Sequence, residues 1–227
     1  MPPSRRLAAI GRGDFEAGNF EAMATAFDRD QLLAAFDEIG SAAVSARAHL
    51  DIAVFGGSAL MLASNFRFST EDVDISEIGR PWPVWLSAVV EGIAARNCWP
   101  PDWLNEAVTF HLSPLANPAR DLVVLGTFPR ASEQVGLTVF VPTARYMLAL
   151  KLKALRVSEF DSGSRDLADT AALLRVLQIT EPEDAIAILA EYFPKSAIDA
   201  GKQRFVLKRL LSAESPLDAP RYPGRSI

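Results

Sequence analysis

The segment from Ile52 to Leu62 leaves the chain little choice of local structure. Ile52-Ala-Val-Phe55 is a short β-prone run, it stops at Gly56-Gly57, and Ser58-Ala-Leu-Met-Leu62 reads as the first turns of a helix. A strand that turns through two glycines into a helix leaves backbone N–H groups exposed at the positive helix end, where an anion is favoured. Glycine matters at such a turn because a Cβ would block the close approach of a phosphate. Fifteen residues after Gly57 comes Asp72-Val73-Asp74, within a stretch from Thr70 to Ile75 that alternates polar and apolar and so reads as the next strand. On a strand both carboxylates share one face, and Val73 and Ile75 turn to the core. Two carboxylates side by side repel each other unless a cation lies between them. Mg²⁺ (or Mn²⁺) is the expected ion, because hard cations prefer carboxylate and phosphate oxygens.

The rest of the chain frames this unit. Helical spacing of Leu32, Leu33, Phe36, Ile39 and Val44 predicts a helix from Asp28 to Arg47, with Arg29-Asp30 as its cap region. Pro83 to Arg96 reads as helix, 97–118 as loop, and Asp121–Leu125 and Leu137–Val141 as two further strands. Pro142 opens a helical regime, with patterns over roughly 142–157, 165–177, 183–192 and 196–212 and a turn at Asp161-Ser-Gly-Ser164. The expected class is therefore α/β or α+β: a mixed sheet flanked by helices, followed by a C-terminal helical lobe. Its parts are a partly ordered lead-in at 1–28, a core at 29–141, a helical lobe at 142–213 that completes the site, and an extended or disordered tail at 214–227.

Charge divides along the same boundary. Residues 1–141 hold 10 Arg, no Lys and 17 acids; residues 142–227 hold 13 basic and 11 acidic residues, including all five lysines. An acidic first part suits cations and a mildly basic second part suits phosphates. A net charge of −5 excludes a bulk polyelectrolyte binder, so any nucleic-acid contact must be local.

The helical part carries a second constellation. Ala144-Arg-Tyr-Met-Leu-Ala-Leu-Lys-Leu-Lys-Ala-Leu-Arg156 precedes Ser164-Arg-Asp-Leu-Ala-Asp-Thr170. Lys151 and Lys153, two apart, point to different helix faces, so at most one is expected to enter a cleft. Asp166 and Asp169 share a face, and Arg165 can meet Asp169 at i, i+4. A cation near a triphosphate, oriented by an aspartate, is one reading; an ion-pair network locking two helices is the other.

Gly-Gly-Ser-Ala-Leu, then Arg67, then Ser-Thr-Glu-Asp-Val-Asp-Ile resembles the metal-site motif of the polymerase-β-like nucleotidyltransferase superfamily. The later Met-Leu-Ala-Leu-Lys-Leu-Lys and Arg-Asp-Leu-Ala-Asp are similar to the downstream half of its AbiEii-like branch, and the likeness covers roughly residues 50–178. The resemblance implies a nucleotidyltransferase fold, an NTP substrate and Mg²⁺. Several members of that branch are toxins of toxin–antitoxin or phage-defence systems, some acting on tRNA ends, so a tRNA acceptor and a cognate antitoxin are the implied partners. Carried over, Gly56, Gly57 and Ser58 would hold phosphate and Asp72 and Asp74 the metal. Lys151 would contact the nucleotide, Asp166 or Asp169 would complete the site, and Arg67, Lys153 and Arg165 are further nucleotide-binding candidates. Arg67 lies five residues before Asp72, where the family arginine usually lies four before. Leu150 stands where many members have a glutamate. The only candidate for a third carboxylate is Asp121. A catalytically weak protein that binds a nucleotide or partner for regulation is the alternative.

Other residues have plainer readings. His49 and His111 have no ligand partners at zinc spacing. Trp82, Trp85, Trp99 and Trp103 are expected to pack in the core, and Cys98 to be a small buried residue. No Gly-x-Ser-x-Gly elbow occurs, which sets serine-hydrolase chemistry aside. With no apolar run long enough for a membrane span and a single cysteine, a cytoplasmic location is expected.

Overall fold

The computed structural model describes residues 26–78, 82–155, 165–212 and 221–224. The fold is mixed α+β. β1 (Phe27–Asp28) leads into α1 (Arg29–Ser45), β2 (Leu50–Val54), α2 (Gly56–Ala63), β3 (Ser69–Thr70), β4 (Val73–Glu77) and α3 (Val84–Asn97). Then come β5 (Leu104–Asn105), a 3₁₀ turn (Ala107–His111), α4 (Pro118–Asp121), β6 (Leu122–Phe128) and β7 (Leu137–Pro142). The helical part is α5 (Ala144–Ala154), α6 (Arg165–Val176), α7 (Pro182–Tyr192), α8 (Pro194–Ile198) and α9 (Gly201–Ser212).

Five strands form one sheet in the order β5-β4-β2-β7-β6. β2 runs antiparallel to β4 and parallel to β7, which pairs antiparallel with β6. Ile52, Ala53 and Val54 are all buried, as expected of a central strand covered on both faces. One continuous hydrophobic cluster joins Ile52, Val54, Val73 and Val139 of the sheet to Leu148, Leu152, Leu173 and Leu189 of the helices. The change of regime at Pro142 is thus a change of secondary structure within one core. Among the described residues no helix is long and apolar enough to cross a membrane.

Several local expectations give way. The lead-in ends in β1, which pairs antiparallel with β3 and packs Phe27 against Trp99 and Trp103; residues 1–25 lie outside the described residues, as does the turn at 161–164. The cap of α1 is Asp28, not Arg29-Asp30: its carboxylate accepts from the Gln31 amide at 2.9 Å, and the Gln31 side chain accepts from the Asp28 N–H at 2.9 Å. Asp72 lies outside β4, because the run from Thr70 breaks between β3 and β4. The helix read at 196–212 divides at Asp199-Ala200 into α8 and α9. Cys98 is exposed, since it caps α3 in the left-handed region (φ 55°) and its side chain turns outward. Trp99 and Trp103 are core residues as expected. Of the tail, 214–220 and 225–227 lie outside the described residues; in 221–224, Tyr222 stacks on Phe66 and the Gly224 N–H donates to the Ala63 carbonyl at 2.8 Å.

Candidate functional site

The site forms where β2 ends. Gly56 takes a positive φ of 61°, and a Cβ there would lie 2.9 Å from Asp74 Oδ2, so the turn sits against the Asp74 carboxylate. The Phe55 N–H donates to the Asp74 carbonyl at 2.8 Å, which fixes the turn to β4. Ser58 is buried, and its hydroxyl donates to the Asp72 carbonyl at 2.6 Å; Thr70 Oγ1 donates to the same carbonyl at 3.0 Å. The Ser58 side chain therefore pins Asp72 rather than facing a phosphate. What remains for an anion is the set of first-turn amides of α2, which no carbonyl of their own helix can reach.

Asp72 is exposed and Asp74 half-buried. Burial raises the Asp74 carboxyl above its ordinary range and the neighbouring charge of Asp72 raises it further, while Lys151 and His111 oppose the rise. Such a pair gains from a cation between its members. Among the described residues no group of three or more His, Cys, Asp or Glu converges on a metal position. Asp72 and Asp74 are the two carboxylates near the turn that would hold Mg²⁺, an ion that keeps several waters and takes the remainder of its shell from substrate phosphates. Asp121 supplies no third ligand. It is buried on the Arg120 guanidinium (2.8 Å to each oxygen), the Asn117 N–H (2.7 Å) and the Tyr192 hydroxyl (2.8 Å).

A cluster of two cations and two anions stands beside the turn. Lys151 Nζ donates to Asp166 Oδ1 at 2.6 Å and to Asp169 Oδ2 at 2.8 Å. Arg67 donates to Asp169 Oδ2 through Nε at 3.1 Å and Nη2 at 2.5 Å, and to Asp166 Oδ1 at 3.3 Å. Arg67 also lies over the turn, since a Cβ on Gly57 would meet its Nη1 at 2.5 Å. Helix geometry favours the arrangement: Lys151 sits in the last turn of α5 and Asp166 in the first turn of α6, where each complements the helix dipole. Burial works against the Arg67 charge, but the hydrogen bond and charge of Asp169, with Asp166 and Asp72 beyond, hold its pKa above the ordinary value. Arg165 is exposed and shares a depression of about 250 Å³ with Phe66, Arg67, Phe68 and Asp169, while the ion pairs of Asp169 go to Arg67 and Lys151.

Between the turn and the helices lies a cleft of about 370 Å³ lined by Phe55, Gly56, Val108, His111, Met147, Leu150, Lys151, Lys153, Ala154 and Asp166. Both lysines border it, against the expectation of one. Lys151 is tethered to the aspartates; Lys153 donates to the His111 carbonyl at 2.9 Å, with its ammonium 4.3 Å from the Phe193 ring centre. Spacing sets His111 aside as a zinc ligand and places Thr70 only as the start of a strand, and neither residue is expected at the site. His111 lacked a partner at ligand spacing because its neighbours come from elements distant in the chain. Thr70 acts through a short-range hydroxyl contact that periodicity does not signal.

Comparison of the chain with protein-family models, with curated proteins and with solved structures finds no match.

Proposed function

We propose that this chain is a nucleotide-handling enzyme and, more narrowly, a magnesium-dependent nucleotidyltransferase that moves a nucleotide from an NTP to an acceptor hydroxyl. The observation that carries the reading is the close approach of Gly56 to Asp74, with Gly56 itself on the wall of an open cleft that Lys151 also lines. In this reading the first-turn amides of α2 cradle the triphosphate and Lys151 meets it from α5. Asp166 and Asp169 hold the Lys151 ammonium in place, and the apolar residues Val108, Met147 and Leu150 receive the base or sugar. Asp72 and Asp74 would hold Mg²⁺, which supplies neutralisation of phosphate charge when bound. The acceptor oxygen would then form its bond to the α-phosphorus as the bond to pyrophosphate breaks. An RNA such as tRNA is the acceptor class to test first, and a cognate antitoxin is the protein partner that the sequence resemblance implies.

Each labelled NTP is mixed with Mg²⁺, total tRNA and the protein. Label transfer that disappears in Asp72→Ala is the expected result; no transfer with any NTP overturns the enzymatic reading. A binding-only function is the second reading, favoured by the engagement of Asp121 elsewhere, which leaves Asp72 and Asp74 without the third carboxylate it was the candidate to supply. Its signature is thermal stabilisation by an NTP without transfer.

A further inference from the structure

The chain has two histidines, and they stand at opposite ends of β2. His49 precedes the strand, held by the Val135 carbonyl at 3.2 Å on Nδ1 and by Thr138 Oγ1 at 3.0 Å on Nε2. His111 ends the 3₁₀ turn and borders the cleft that opens at the other end of β2, across from Gly56 and Lys151. Its side chain is exposed, and no hydrogen bond to a described residue holds the ring. Its main chain, by contrast, is fixed: the Lys153 ammonium grips the His111 carbonyl and rests on Phe193. With its backbone fixed and its exposed side chain at the rim of the cleft, His111 is placed to meet a ligand that enters there.

Charge identifies the ligand group. His111 shares the cleft lining with Gly56 of the glycine turn and with Lys151 and Lys153, so the polar wall it belongs to is mostly cationic. An imidazole donates an N–H in its neutral form as well as when protonated, and beside two lysines and the opening amides of α2 the acceptor it suits is a phosphate oxygen. Lys153, which the sequence places among nucleotide contacts, is already engaged by the carbonyl and the aromatic face. We propose that His111 is a phosphate-contacting residue of the cleft, and that Lys153 is the positioning residue that holds it there. This rests on the nucleotide reading above and adds to it a residue and a role.

The two histidines make the test internal. Their ring resonances are followed by NMR in the full chain as Mg²⁺ with ATP, CTP, GTP or UTP is added, and separately with Mg²⁺ and inorganic tripolyphosphate. His111 shifts with a nucleotide and with tripolyphosphate, and His49 stays still. His111→Ala weakens triphosphate binding roughly tenfold, the loss expected for one hydrogen bond to a charged group. Lys153→Met removes the response at His111 while Lys153→Arg, which keeps a donor and a cation over Phe193, retains it. Thermal stabilisation by a nucleotide with His111 unmoved overturns this proposal and leaves the nucleotide reading standing. A His111 response to nucleotide but not to tripolyphosphate also overturns it, because the contact is then to base or sugar. Failure of every nucleotide and of tripolyphosphate to stabilise the protein overturns both readings together.

Discussion

Gly56 is the residue on which the site geometry turns. Its φ of 61° lies in the left-handed region, and a Cβ would stand 2.9 Å from a carboxylate oxygen of Asp74. Gly56→Ala therefore meets two costs at once, backbone strain and displacement of Asp74, and should destabilise the fold by about 1–3 kcal/mol. Urea denaturation measures this, and a variant as stable as the parent would show that the turn relaxes freely. Gly57 differs: its φ is not in that region, and its Cβ would press on the Arg67 guanidinium, the far end of a flexible side chain. The two adjacent glycines thus look alike in sequence and do separate things, one admitting Asp74 and the other admitting Arg67. Sequence spacing made the Gly-Gly-Ser and Asp-Val-Asp units visible because each is built from neighbours in the chain. The inward turn of the Ser58 hydroxyl to the Asp72 carbonyl was not visible, because it depends on how α2 seats against the start of β4.

At the scale of elements, the sheet and the helices are locked by side chains that no local pattern announces. Asp121 closes α4 and is bound by Arg120 beside it and by Tyr192 at the end of α7, 71 residues away. Arg145 of α5 pairs with Glu191 of α7, and Arg204 of α9 with Glu183 of α7. Periodicity located these helices within a few residues, since burying one stripe of side chains is enough to set a 3.6-residue pattern. It could not say which charges would meet, nor that two residues, Phe27 and Asp28, would form a strand with Ser69-Thr70. The Asp121 network has a pH consequence. Burial opposes ionisation of this carboxyl, but the hydrogen bonds from Arg120, the Asn117 N–H and Tyr192, together with the Arg120 charge, outweigh it and hold the pKa below the ordinary value. The unfolded chain therefore binds its proton at higher pH than the folded one. Stability from this group is complete above the ordinary carboxylate pKa of about 4 and is lost as pH falls through the lower folded value. Glu183 and Glu191, also held low by their arginine partners, act in the same direction. Urea midpoints taken from pH 7 down to pH 3 should fall, and Asp121→Asn should be less stable at pH 7 with a shallower fall. An equally steep acid limb in the variant would assign the effect to other carboxylates.

Across the whole molecule, the first and last described segments close on the middle. β1 pairs with β3 just after Arg67, and Tyr222 stacks on Phe66 just before it, so the segment carrying Arg67 is held from both sides. This is how a helical region late in the sequence and a glycine turn early in it come to share one cleft: Arg67 lies over Gly57 and reaches Asp166 and Asp169 of α6. Tyr222 separates the two contributions a buried tyrosine can make. The residue is 8% exposed and its ring packs on Phe66, whereas its hydroxyl is buried without a hydrogen-bond partner among the described residues. Removing the ring leaves a cavity, and Tyr222→Ala should cost about 3 kcal/mol or more. Removing the oxygen alone relieves an unsatisfied polar atom, so Tyr222→Phe should be neutral or stabilising. Chemical denaturation of both variants beside the parent distinguishes the terms. Because Phe66 adjoins Arg67, the alanine variant should also weaken triphosphate binding while the phenylalanine variant keeps it. Loss of binding in both variants would mean that the hydroxyl has a role its surroundings do not indicate. Retention in both, with stability lost in the first, would confine the C-terminal contact to holding the fold.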